Sequence, residues 1–146
     1  DHAWAERLGN RVIAIVACYM GGIGILIALI GDWLVPLFVN PADPRAAEVI
    51  ALCSSLLWLA AAYQFFDGVN LASAFCLRGA GDARIPALIV LACGTLVFLP
   101  LTHYLTFAPG QGWFDGVPGL DLGATGGWSA ILVYVVLIGT ALWLRW

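Results

Sequence analysis

Four long apolar stretches, separated by short segments rich in charge, glycine or proline, organise this chain. The first runs from Val12 to Ile30, nineteen residues without a charge. At about 1.5 Å per residue, such a helix crosses a hydrocarbon core of about 30 Å. Asp32, Trp33 and Pro36 mark its far end, and Asn40-Pro41-Ala42-Asp43-Pro44 is a turn whose two prolines stop the helix. The second stretch opens with Pro44 and Glu48 in positions that suit a helix start, and is uncharged from Val49 to Phe66. It continues through Asp67 to Arg78, which is too long for one perpendicular crossing, so this helix must tilt or project beyond the bilayer.

The third stretch, Ile85 to Leu101, carries Pro86 in its first turn, where a missing N–H does no harm. Pro100 is expected to kink or end it and to leave His103 and Tyr104 at the interface; His103 reads as an interfacial residue rather than a ligand. From Ala108 to Gly127, seven glycines, two prolines, Asp115 and Asp121 make a long loop, with Trp113 and Phe114 as interfacial anchors. Gly127 to Leu144 is the fourth stretch and ends at Arg145-Trp146. The pattern predicts an all-α integral membrane protein forming one unit of four transmembrane helices, spanning residues 12–35, 46–78, 85–106 and 126–145. Gly21, Gly22 and Gly24 are expected to form a face on which a neighbouring helix packs closely.

Composition makes lipid the solvent. The chain of 146 residues is 62% hydrophobic and 10% charged, against about a quarter charged in soluble domains. A net charge of -3, with arginines dispersed and lysine absent, gives no nucleic-acid partner. Cys18, Cys53, Cys76 and Cys93 lie in apolar runs without metal-ligand spacing and read as small buried hydrophobes. With neither histidine deep in a span and no paired cysteine, an enzyme or redox carrier finds no support, and no resident cofactor or metal is expected. The chain begins without methionine, and Asp1 to Arg11 lacks the features of a signal peptide, so it reads as a piece of a longer polypeptide, a processed product or a truncated form.

Four spans place Arg7, Arg11, Arg78, Arg84 and Arg145 on one side and Arg45 on the other. This asymmetry predicts that both termini are cytoplasmic.

One polar face stands out. Asp67 lies eleven residues before Arg78, about 16 Å along the helix and close to the middle of the core. A charge there costs at least roughly 2.5 kcal/mol on insertion scales, so it should face protein or water. At 100° per residue, Tyr63, Gln64, Asp67 and Asn70 share about one third of the helix circumference. A carboxylate among amide and phenol oxygens can bind a proton or a hard cation such as Na⁺. Gly68 beside it would permit bending. The alternative for the same residues is a structural hydrogen-bond cluster around a neutral Asp67. Arg78, Gly79, Gly81, Asp82 and Arg84 read as a helix C-cap and short cytoplasmic turn, since neither a strand nor a lysine accompanies the glycines as phosphate binding would require.

The motif Gln64-Phe65-Phe66-Asp67-Gly68, followed by Leu77-Arg78-Gly79-Ala80-Gly81-Asp82-Ala83-Arg84-Ile85-Pro86, resembles the tenth helix and following turn of MATE multidrug and toxin extrusion transporters. Leu37-Phe38-Val39-Asn40 through Glu48-Val49, and Leu122 through Trp128, resemble the flanking regions more weakly. The resemblance implies helices nine to twelve of a twelve-helix antiporter in the bacterial inner membrane, in which Na⁺ or H⁺ influx drives export of cationic amphipathic compounds. Asp67 then matches the coupling carboxylate, with Tyr63, Gln64 and Asn70 around it. The other reading is a truncated chain of this kind kept as a structural subunit of a larger membrane complex. In either case the partners are the bilayer and further helices, because alternating access needs two halves.

Overall fold

The computed structural model describes residues 2–113 and 116–146, so the loop residues Phe114 and Asp115 lie outside the described residues. Every regular element among the described residues is helical. The first span is α1 (His2–Leu29), continued after a break at Ile30 by α2 (Gly31–Leu34) and a 3₁₀ turn, Val35–Leu37. The second is one continuous helix, α3 (Ala46–Gly79). The third comprises α4 (Arg84–Cys93), a π-helical turn (Gly94–Phe98) and α5 (Leu99–Thr106), and the fourth is α6 (Gly123–Arg145). All four spans are long and apolar enough to cross a membrane. The helix of the first span begins well before the charge-free run, because His2 to Arg11 is rich in Ala, Glu, Arg and Leu, which favour helix in any solvent.

α3 is the central helix, with α1 on one flank and α6 on the other; α6 in turn carries the third span. Small residues build the α1–α3 seam. Gly9, Ile13, Ala17, Gly21, Gly24 and Ala28 recur on one face of α1 and are buried; of these, Ala17 meets Gly68, Gly21 meets Phe65 and Gly24 meets Ala61 of α3. A Cβ on Gly24 would lie 2.9 Å from the Ala61 Cα, and one on Gly68 would lie 2.8 Å from the Ala17 Cα. Where lipid tails solvate leucine as well as another helix would, such close backbone approach supplies the packing energy. Gly22 departs from the sequence expectation. A Cβ there meets nothing within 4 Å, because one residue of rotation turns it out of the seam that holds Gly21 and Gly24.

The turn after α3 closes as the sequence predicts. Asp82 N–H donates to the Leu77 carbonyl and Gly81 N–H to that of Arg78, with Gly81 at φ +88°. This is the Schellman arrangement, which needs a left-handed residue just past the helix. Asp82 then turns to the next helix: its Oδ1 accepts the Ile85 N–H at 3.3 Å, while its Oδ2 receives both Arg145 Nε and Nη2 at 3.1 Å. The turn between the second and third spans is thereby tied to the end of α6. Replacing Gly81 by alanine meets no steric obstacle, so its effect is that of the backbone alone, a destabilisation of about 1 to 2 kcal/mol readable as a lower melting temperature in detergent.

Pro100 does not end the third span. The π-helical turn precedes it, and α5 continues to Thr106. A widened turn takes up the hydrogen bond that a proline cannot make. The loop then folds back along α5, with Leu120, Asp121 and Leu122 N–H donating to the carbonyls of Tyr104, Phe107 and Leu105. This return covers His103, which is 1% exposed, packs against Phe107, and accepts the Trp113 N–H at Nδ1 over 3.3 Å. Tyr104 does remain exposed.

Candidate functional site

Asp67 occupies the middle of α3, half-buried, one residue before the glycine that presses on Ala17. Asn70, one turn further on, donates its Nδ2–H to Asp67 Oδ1 at 3.3 Å. This i, i+3 pair is a direct consequence of helix geometry. It fixes one carboxylate oxygen and leaves the other available. Tyr63, one turn before Asp67, sets its ring edge-on to Trp128 of α6 with centroids 6.5 Å apart. Asp67 and Tyr134 of α6 both lie within electrostatic reach of Tyr63.

Gln64 stands apart from this group. It lies on the α1 side of α3, with its Cβ beneath Gly24, and it lines a cavity of about 300 Å³ together with Gly24, Tyr63 and Trp128. No hydrogen bond joins Gln64 or Tyr63 to Asp67 among the described residues. Of the four polar residues on the predicted face, the fold therefore pairs Asp67 with Asn70, places Tyr63 alongside, and directs Gln64 to the neighbouring seam.

Two residues join the site that sequence reasoning did not single out. Tyr134 stacks on Phe98 with ring centroids 5.2 Å apart, and its hydroxyl lies 3.9 Å from where a Gly94 Cβ would stand. It connects the π-helical turn of the third span to the polar face of α3. A tyrosine in the middle of an apolar span, away from the interfaces that tyrosine favours, was the available signal. Ser73 is fully buried, with a hydroxyl that has no side-chain partner, one turn beyond Asn70. Its i+3 spacing from Asn70 extends the polar stripe towards the Schellman turn.

α3 runs through Gly68 without interruption, and the missing side chain admits α1. A change of charge at Asp67 is thus one residue from the closest approach between two helices.

The profile of the MatE family matches residues 4–103, which contains this polar face and the turn that follows it. The chain belongs to the MatE family. It is 40% identical over 105 residues to a probable multidrug resistance protein NorM of Agrobacterium fabrum, a match covering 69% of this chain and 23% of that protein. Proteins of the same description from Pseudomonas syringae pv. tomato and Mesorhizobium japonicum are each 34% identical, over 94% and 96% of this chain and 28% of their own length. The chain thus spans about a quarter of the length of the MatE relatives it matches. No solved structure matches it significantly.

Proposed function

We propose that this chain is part of a cation-coupled exporter of cationic, amphipathic compounds in the bacterial inner membrane, with both termini cytoplasmic. The observation that carries the reading is Asp67: a half-buried carboxylate at mid-span, held by Asn70, in a chain of the MatE family. The relatives' description as probable multidrug resistance proteins supports the substrate class.

In this reading Asp67 binds either the incoming Na⁺ or proton, or the positive charge of the outgoing compound. An unpaired carboxylate at this depth is costly, so one occupant or the other is favoured at each stage. Competition for one carboxylate makes each ligand displace the other, one of the conditions for exchange in an alternating-access carrier. Asn70 holds the carboxylate rotamer, while Tyr63 and Tyr134 offer hydroxyl oxygens on the same side of α3. The neighbouring Gly68–Ala17 contact gives the charge change a route to the α1–α3 seam. The remaining helices of the transporter supply the opposing half that alternating access requires.

Asn70→Ala tests the arrangement without removing the carboxylate. A hydrogen bond to a charged group contributes about 1.5 kcal/mol at the lower end, so the cation concentration for half-maximal export by the complete transporter should move by about tenfold. Unchanged cation dependence at normal expression would separate Asn70 from the coupling step.

A further inference from the structure

On the flank of α3 opposite Tyr63 and Asp67, α1, α3 and α6 enclose an open groove of about 520 Å³. Its floor is made of small residues of α1, among them Ala14, Ala17 and Cys18; Phe65, Val69 and Trp143 form its walls. Asn10 and Thr140 are its polar members. From Asn10 to Cys18 the groove descends about 12 Å, which keeps it within one leaflet of a core about 30 Å thick.

Two cations flank the Asn10 end of the groove. Arg11 follows Asn10 directly and Arg7 lies three residues before it, so both arginines stand within one helical turn of that end of α1. Both are exposed, and neither has an ion-pair partner among the described residues. Glu6, the nearest acid in sequence, lines a different cavity with Asp82 and Arg145. An apolar groove whose Asn10 end lies beside two cations without ion-pair partners among the described residues matches an anionic phospholipid in both of its parts.

We propose that this groove is a binding site for an anionic phospholipid, with one acyl chain lying between α1 and α6 and the phosphate at Arg7 and Arg11. A concave surface gives a chain contacts on three sides, which a convex helix face cannot. Basic pockets between membrane helices select anionic headgroups through charge. The bound chain lies along the groove between α1 and α6, near the end where the Trp146 side chain packs against Gly9.

The test uses the complete polypeptide in nanodiscs containing phosphatidylglycerol or phosphatidylcholine, each with a photoreactive group on the acyl chain, followed by peptide mapping. Labelling is expected at residues 14–18 and 65–69, several-fold stronger with phosphatidylglycerol. Exchanging Arg7→Gln and Arg11→Gln together should lower that labelling by roughly thirtyfold, given the attraction each arginine contributes near the surface. Ala14→Trp, at an exposed position of the floor, should remove groove labelling by both lipids while leaving other lipid-facing labels intact. Equal labelling by the two lipids, labels spread evenly over all exposed faces, or a groove protected from lipid by another segment of the polypeptide would each overturn the proposal.

Discussion

Asp67→Asn in the complete transporter is expected to abolish cation-coupled export, reducing it to the background of cells without the protein, at unchanged expression. The substitution keeps size, shape and the capacity to accept the Asn70 hydrogen bond. It removes only the charge that a proton, Na⁺ or cationic substrate would neutralise. An asparagine carries no net charge in either loaded or empty form, so the two states that the carboxylate distinguishes become electrostatically alike, and a ligand with equal affinity for both shifts nothing. Drug accumulation in cells and flux in proteoliposomes both read the outcome. Full coupling by the asparagine variant would reduce Asp67 to a structural hydrogen-bonding residue.

The second large effect is mechanical. Gly68→Leu drives a side chain into the backbone of α1, where a Cβ alone already lies 2.8 Å from the Ala17 Cα and 3.1 Å from the Val16 carbonyl oxygen. Backbone cannot rotate aside as a side chain can, so α1 must separate from α3. The expected destabilisation is about 3 kcal/mol, at the upper end for overpacking. It should appear as a sharply lower melting temperature and poor recovery in detergent. Gly22→Leu is the matched control: the same change on the same seam's helix, turned towards open space, with an expected effect within about 0.5 kcal/mol. Similar losses from both would mean that glycine content, and not the Gly68–Ala17 contact, holds α1 in place.

The contrast between these glycines shows how far sequence reasoning reaches. The charge-free runs define four spans because lipid leaves a hydrophobic segment of that length few alternatives to a helix. The motif from Gln64 to Pro86 carries both the resemblance and the turn, and Gly81 occupies the left-handed position that such a turn demands. Close packing around Gly21 to Gly24 is legible as well. Which of these glycines faces the partner is not, because that depends on where α3 lies around α1, a long-range fact with no local signature. Gln64 illustrates the same limit: it shares a helical face with Asp67 by arithmetic, yet the position of α1 draws it to Gly24. His103 is buried because a loop through Gly112, at φ +93°, brings Trp113 back over it, and Tyr134 reaches the polar face by packing against the π-helical turn. Each of these outcomes is decided by a neighbour distant in sequence.

The most direct test of the central claim is cation release on substrate binding, measured with the purified complete transporter in weakly buffered solution, by a pH indicator for protons and by tracer displacement for Na⁺. Addition of a cationic amphipathic compound should release the bound cation from the wild type and none from the Asp67→Asn variant. Equal release by both proteins would place the coupling site elsewhere and contradict the assignment of Asp67.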